Sequence, residues 1–295
     1  MSQPLLHVMI PAYGNSPYLR KTLESATKYL SKEVLISVVE DPHPDFNLKE
    51  IVDEFPQVTY FNNSQRLGVG GNFNKCIELS QGVFTQICGS DDVFCDDPLK
   101  FISKDLQNEN IAAIGFDVNI IDEKDNLTKP LPDRIKETLR PKMKQVEVFE
   151  IEKIFKNLML GDWLYFPAIL WNTKVIKEIK FNQNYHTAMD LDIFIRIFQN
   201  KKTISFIKNK TLLYRRHKES ESSKYAKTEG RFREEFECHK LAIQVAKEMN
   251  LKSVAVFAQL ALTVRLHAIL QAFQSIFKSP VLAIKLFLKG ISPIS

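Results

Sequence analysis

Glycine and proline are scarce, 10 and 13 in 295 residues, and cysteine is scarcer still, with four. So little Gly and Pro excludes collagen-like and low-complexity chains, and 44% hydrophobic residues exclude a disordered one. No two of Cys76, Cys88, Cys95 and Cys238 stand at CxxC spacing. That removes zinc patterns, and a disulfide framework does not suit so long a chain. Cys76, in an apolar helical pattern, and Cys88, closing a strand-like run, read as core thiols. The first residues, MSQPLLHVMIPAYG, lack the basic region and long apolar stretch of a signal peptide, so a reduced, cytoplasmic chain is expected. A large charge excess is missing too. Forty Lys+Arg against thirty-five Asp+Glu leave +5, too little to imply a nucleic-acid partner.

Acidic residues are absent from Leu251 to Ser295, where Lys252, Arg265, Lys278, Lys285 and Lys289 equal the whole net charge. Upstream, Lys201–Lys227 carries nine basic residues against Glu219 and Glu221, a stretch able to meet a polyanionic ligand. Val254–Phe277 is mostly apolar, with Gln259, Thr263, His267, Gln271, Gln274 and Lys278 forming a narrow polar stripe at helical spacing. Arg265 interrupts this helix centrally, which argues against a span, and Pro280 ends it. Two readings follow. The tail lies in an anionic inner membrane face, making a peripheral membrane protein, or it is a helical hairpin packed on the main body or across a homodimer.

The first ninety residues alternate. Leu5–Ile10, stopped by Pro11, reads as a buried strand, and Val34–Val39 and Val58–Phe61 read as two more. Val83–Cys88 is the fourth. Helical patterns follow Pro17, a weaker one covers Leu48–Phe55, and a third runs from Gly68 through Cys76 to Leu79. This β-α-β-α-β-α-β order predicts a Rossmann-like α/β fold, a mostly parallel sheet flanked by helices. Beyond Asp92, Pro98–Leu106 reads as a helix, Ile111–Ile121 as a strand and Lys129–Gln145 as a mobile loop. Val148–Leu160 reads as helical, Ala168–Trp171 as extended, Asp190–Gln199 as helical and Thr203–Arg216 as one or two strands. From Gly230 onward only helices are expected. The boundary is placed at residue 225, with 226–295 a helical extension.

In such sheets ligands bind beyond the carboxyl ends of the strands. Those ends carry Pro11-Ala12-Tyr13, Glu40-Asp41, the Asn62–Asn74 stretch and Gly89-Ser90-Asp91-Asp92. Paired carboxylates after a buried strand need a positive partner, and a hard divalent cation with a diphosphate supplies one. His7 reads as a packed strand histidine, and His186 and His239 lack partners at metal-ligand spacing.

These motifs are similar to those of family 2 glycosyltransferases of the GT-A fold: Ile10-Pro11-Ala12-Tyr13, Val39-Glu40-Asp41, Gly68-x-x-Gly71-Asn72-Phe73-Asn74-Lys75, and Ser90-Asp91-Asp92. Downstream, Asp190-Leu191-Asp192 resembles the acidic motif that opens a helix and holds the catalytic base. Tyr214-Arg215-Arg216-His217, with Ser220 and Ser222, resembles the closing segment. The resemblance covers residues 5 to 225. It implies inverting transfer from a UDP- or dTDP-sugar, with Pro11, Tyr13 and Asp41 at the nucleoside, and Asp91 and Asp92 on Mn²⁺ or Mg²⁺. Arg215 and His217 fall near the diphosphate by the same likeness, and Asn72, Asn74 and Lys75 open a helix whose amide end faces phosphate. Asp190 is the base. Asp192, its rival, is rotated about 200° away on the helix and can pair with Arg196 instead. Trp163, after Gly161-Asp162, is the candidate acceptor contact. The chain departs from the family at Gly89 and Met189, where acids are common, and at Glu40, where Asp is. With the tail, the resemblance implies a saccharide acceptor that is lipid-linked, as in surface polysaccharide assembly. The alternatives are a nucleotidyltransferase and a non-catalytic sugar-nucleotide-binding scaffold.

Overall fold

The computed structural model describes residues 3–217, 220, 225, 228–277, 279–292 and 294. Ser222 and Lys278, both singled out above, lie outside them. The expected alternation is present: β1 (Leu6–Tyr13), α1 (Leu19–Tyr29), β2 (Leu35–Asp41), α2 (Lys49–Val52), β3 (Val58–Asn62), α3 (Gly68–Leu79) and β4 (Phe84–Ile87). β3, β2, β1 and β4 lie side by side and parallel. Because side chains alternate along a strand, Val8 and Ile10 of β1 enter the core under α1 while Met9 enters the one under α3. Both faces are therefore covered, which is why these strands read as unbroken apolar runs.

Pro11 does not stop β1. The Met9 carbonyl accepts the Cys88 N–H, so Pro11, two residues on, faces the same edge, which β4 has left at Ile87. A missing N–H costs nothing there. β1 thus runs to Tyr13, and Glu40 and Asp41 are the last residues of β2 rather than its sequel.

The second half adds β5 (Val93–Phe94), β6 (Ile111–Ile121), α4 (Leu131–Leu139), β7 (Val146–Val148), α5 (Ile151–Leu158), β8 (Ile169–Asn172), α6 (Thr173–Ile179), α7 (Met189–Gln199) and β9 (Thr203–Arg215). The sheet order is β3-β2-β1-β4-β8-β6-β9-β5, with β7 also on β9. β8 runs antiparallel to β4 and β6, and β5 and β7 antiparallel to β9, so the sheet is mixed beyond β4. Two sequence expectations fail here. Pro98–Leu106 forms two 3₁₀ turns, Pro98–Phe101 and Lys104–Gln107, instead of a helix. Lys129–Gln145 is no mobile loop, because it contains α4, which buries Asp133 and is tied at its end by Arg140 donating to Asp117 at 2.8 and 2.9 Å.

The C-terminal segment is helical as expected: α8 (Glu229–Glu248), α9 (Lys252–Leu260), α10 (Leu262–Ser275) and α11 (Pro280–Ile291). Residues 252–275 are long and apolar enough to cross a membrane by length and composition. They do not form one straight rod, because Ala261 takes φ +43° and separates α9 from α10. α9 buries Val254 and Ala258 in the main core, whereas Val264, Ala268 and Ala272 of α10 pack with Leu286 and Phe232 in a separate cluster.

Candidate active site

At the open end of β1, Tyr13 is 40% exposed, with the Arg66 guanidinium 4.4 Å over its ring and His43 edge-on at 5.1 Å. A cavity of about 400 Å³ next to them is lined by Glu40, Pro42, His43, Phe46 and Asn62. Tyr13 is thus open to solvent, while Pro11, two residues back on the same strand, is half-buried. Asp41 is buried beside them and accepts the Leu67 and Gly68 N–H groups at 2.7 and 2.9 Å. It sits on the positive end of α3, where an anion is favoured. Arg66 and His43 were missed in the sequence, although both follow strand ends, Arg66 in the Asn62–Asn74 stretch.

The other α3 residues are used otherwise. Asn72 is buried, donating to the Val39 carbonyl and accepting from Asn63 at 3.0 Å each. Asn74 donates to the Phe181 carbonyl at 3.0 Å and accepts its N–H at 2.8 Å, which consumes the amide. Lys75 pairs with Glu78 at 2.7 Å and lines a separate cavity with Lys177 and Lys180. The phosphate contacts expected of these three are corrected to structural and peripheral roles.

After β4 the chain turns through Gly89 to Asp91 and Asp92. A Cβ on Gly89 would collide with both Asp91 Oδ1 and Asp92 Oδ2, so the absence of an acid at 89 lets the two carboxylates fold over one point. Asp92 is 1% exposed; Oδ1 accepts the Arg215 N–H at 3.0 Å, and Oδ2 has no hydrogen-bond partner. Burial and the neighbouring Asp91 push its carboxyl well above the usual carboxylate range. Asp91 is more open, and His217 Nε2 lies 2.7 Å from its Oδ2. Arg215 is not where the sequence put it. Its side chain is fully buried, donating to the Asp91 and Asp122 carbonyls and paired with Asp125 at 2.7 Å. It clamps the acidic turn from behind and presents nothing to a diphosphate. Ser220 does lie beside His217, donating to its carbonyl at 3.1 Å.

A second acidic centre opens α7. Leu191, Phe194, Ile195 and Phe198 are buried as the stripe predicted, and Asp192 is buried in its ion pair with Arg196. Asp190 faces the other way, close enough to Asp162 and to Lys136 of α4 to feel the charge of both, and its Oδ1 accepts the Leu191 N–H at 2.8 Å. Burial first, then Asp162, push its carboxyl up to about 8, against the opposing pull of Lys136. Asp162 reaches this point because Gly161 lets the chain pass Leu139 of α4, which a Cβ would strike at 2.7 Å. Trp163, its neighbour, is fully buried and donates to Asn157 at 2.6 Å, so it has no face for an acceptor sugar, and that expectation is corrected. Lys136 donates to the Leu164 carbonyl. Behind it, Asp133 accepts from Arg216 at 2.8 Å and from Tyr165 at 2.9 Å, and the Tyr165 ring lies 5.3 Å from that of Tyr214. Tyr214 in turn feels Asp91 and Asp92. One polar wall therefore connects the two acidic centres.

The start of α7 has no capping side chain of its own. Glu234 of α8 supplies it: its buried carboxylate accepts the N–H groups of His186, Thr187 and Ala188, at 2.8–3.2 Å, and the Thr187 hydroxyl at 3.0 Å. Nothing in the sequence signals a cap placed some 46 residues downstream. His7 is packed in its strand as read: it is buried, bonded to Ser37 at 2.8 Å, and burial pushes it down to about 4. Among the described residues no group of three or more His, Cys, Asp or Glu is arranged to hold a metal.

A family model described as Glycosyl transferase family 2 matches residues 7–160. An uncharacterized glycosyltransferase of Methanocaldococcus jannaschii is 26% identical over 222 residues, 73% of this chain and 72% of its own length. Chondroitin synthase of Escherichia coli is 22% identical over 198 residues, 66% of this chain but only 26% of that protein. Among solved structures, S. aureus TarS (residues 1–349) in complex with UDP-GlcNAc superposes with a TM-score of 0.66 at 15% identity, covering 97% of this chain and 79% of that one. The Pyrobaculum calidifontis mannosyltransferase PcManGT, in complex with GDP-Man and Mn²⁺, gives 0.54 at 12% identity, covering 98% and 80%. Likeness at such identities establishes a shared fold.

Proposed function

Because the chain belongs to glycosyltransferase family 2 and has the GT-A fold, we propose that it moves a sugar, with inversion, from a UDP- or dTDP-sugar to a saccharide hydroxyl. The observation that carries this reading is the pairing of an acidic turn at Asp91-Asp92 with a raised-pKa carboxyl at Asp190, joined by one polar wall. Family membership removes the nucleotidyltransferase alternative. Tyr13, Arg66 and His43 border the nucleoside, with Asp41 behind them. Asp190 takes the proton of the attacking hydroxyl, a task suited to a carboxyl titrating near neutrality. His217, beside Asp91, is left to steady the diphosphate end.

The acidic turn fits a divalent ion. Asp92 Oδ2 is buried without a partner next to the Asp91 carboxylate, and Mg²⁺ or Mn²⁺ takes one or two carboxylates together with phosphate oxygens. When bound there, such an ion would offset the charge of the departing diphosphate as a Lewis acid. The nucleotide sugars held by TarS and PcManGT, and the Mn²⁺ of the latter, support this assignment. Purified protein screened with UDP-, dTDP- and GDP-sugars and a saccharide acceptor should release nucleotide in the presence of Mn²⁺. A chain that binds these donors yet releases none with any acceptor acts as a scaffold, and the proposal fails.

The tail supports an acceptor at a membrane, for a reason that differs from its charge. Arg265 donates to the carbonyls of Gly290 and Ser292, and Lys285 and Lys289 pair with Glu229. These cations are already engaged within the protein. What remains is an apolar face: Leu266, Leu270, Phe273, Phe277, Val281 and Ile284 are each more than half exposed. A face of that extent fits burial in a lipid interface and, with it, a lipid-linked acceptor. Deleting residues 262–295, which spares the core contacts of α9, is expected to abolish flotation with anionic vesicles while nucleotide binding persists. Binding of the intact chain should survive 0.5 M salt better than that of a polybasic segment. An intact protein that never floats, and whose deletion instead dissociates a dimer, turns this face into a subunit contact.

A further inference from the structure

A general base must sit within hydrogen-bond reach of the proton it takes, so the first turn of α7 has to be held in place. Nothing in that turn holds itself. Ala188, at the cap position, has no side-chain oxygen for the free N–H groups that every helix start leaves. Residues 181–188, which lead into it, form neither helix nor strand. Both ends of this loop are tied by other helices. Asn74 of α3 holds Phe181 through the pair of bonds described above. At the far end Glu234 of α8 is 1% exposed, and its Oε2 accepts the Thr187 N–H at 2.8 Å, the Thr187 hydroxyl at 3.0 Å and the Ala188 N–H at 3.2 Å. Both oxygens share the His186 N–H at 3.0 Å. One turn along α8, the Cys238 thiol donates to the Ala188 carbonyl at 3.7 Å, the same carbonyl that accepts the Asp192 N–H. Ala188 is thus gripped through both its N–H and its carbonyl.

We propose that Glu234 is a positioning residue for transfer: its carboxylate sets where the loop ends, and with it where Asp190 meets the acceptor hydroxyl. The inference rests on Asp190 being the base. A serine or aspartate at 188 would cap α7 from within and would fix nothing but the helix itself. A carboxylate brought from α8 fixes the helix start against a second helix. Burying that charge is costly, and the cost is offset only while all three N–H groups stay in reach, so the geometry is narrow. Among the described residues its hydrogen-bond partners are His186, Thr187 and Ala188, none of them at the nucleoside cavity or the acidic turn. Donor binding should therefore be indifferent to Glu234, whereas a base displaced by about 1 Å loses about 10²-fold in rate.

E234Q and E234D in the full chain separate position from charge. Glutamine keeps the length and an accepting oxygen but no charge. Aspartate keeps the charge but draws its oxygens back by about 1.5 Å, one carbon–carbon bond. Hydrogen exchange reads the loop directly: amides of residues 183–192 should exchange about tenfold faster in E234D and stay within about threefold of wild type in E234Q. Transfer is measured well below each melting temperature with the donor and acceptor returned by the nucleotide-release screen, and donor-site binding is measured with UDP. For E234D, kcat should fall about 10²-fold while the UDP Kd stays within about twofold, and E234Q should keep kcat within about fivefold. Because the effect runs through Asp190, E234D added to D190N should cost less than about threefold more. The proposal is overturned by a wild-type kcat in E234D, by a greater loss in E234Q than in E234D, by a UDP Kd that weakens in step with kcat, or by the full E234D loss recurring in D190N. Where E234D does not fold, E234Q decides alone, since a loss of about tenfold there overturns the proposal. A D190N variant with normal transfer overturns the reading of Asp190 as base, and this inference with it.

Discussion

Asp190→Asn is expected to slow sugar transfer by a factor on the order of 10²–10⁴, the usual contribution of a general base, with nucleotide binding intact. The folded chain should lose nothing by it, since the substitution removes a carboxyl that burial and Asp162 both oppose. Asp192→Asn should do the reverse. Its carboxylate is 3% exposed and carries the Nε bond from Arg196 at 3.0 Å. Without it the arginine keeps only the Ile179 carbonyl on this side, at 2.6 Å. Breaking a mostly buried pair from one side should cost about 2 kcal/mol, with the partial exposure of Arg196 holding it below the full buried value, while transfer at permissive temperature falls less than tenfold. Rate assays beside melting curves separate the two, and the opposite ranking would move the base to Asp192.

Asp92→Asn is expected to lower donor turnover by about 10²–10³, in line with the loss of one charge-stabilising group at a reacting centre. Melting should be unchanged or slightly higher, because an amide replaces a buried carboxylate that has one oxygen unpartnered. Asp91→Asn should lose turnover to a similar degree. Gly89→Ala adds a steric control. It keeps both acids but drives a methyl group into them, so it should reproduce the catalytic loss and weaken Mn²⁺ activation. If both Asn variants turn over donor normally with a chelator present, the acidic turn is not a metal site.

The strand-end residues could be read from the sequence because their position follows from local pattern alone. A buried run that stops at Glu40-Asp41 or before Asp91-Asp92 places those acids at the carboxyl edge, whatever the rest of the chain does. Helix-face geometry likewise separated Asp190 from Asp192. Roles that depend on what arrives from elsewhere were not readable. Arg215 carries the motif of a phosphate ligand, but the Asp91 carbonyl and the Asp122–Asp125 turn close over it. Asn74 and Trp163 are consumed by Phe181 and Asn157. Glu234 acts through partners 46 to 48 residues away in the chain. Helix α4 was misread for a correctable reason: Pro130 and Pro132 open it and Pro141 follows it, the order that marks a helix and not a loop. The break at Ala261 had no such mark, since a left-handed helix end is usually signalled by Gly or Asn and alanine is the strongest helix former.

The carboxylate that caps α7 belongs to α8, so the chain segment that presents the apolar tail also holds the helix that opens at Asp190 in register. That has a bearing on how relatives can be recombined. A graft that joins the first 225 residues to another protein's C-terminus cuts between Asp190 and the group that orders its loop, and should yield folded but nearly inactive hybrids. A junction placed after Ala261 keeps Glu234, Cys238 and α9 with the site they serve. Membrane-facing or partner-facing tails could then be exchanged there, as interchangeable couplings on a constant engine, with donor chemistry carried over unaltered.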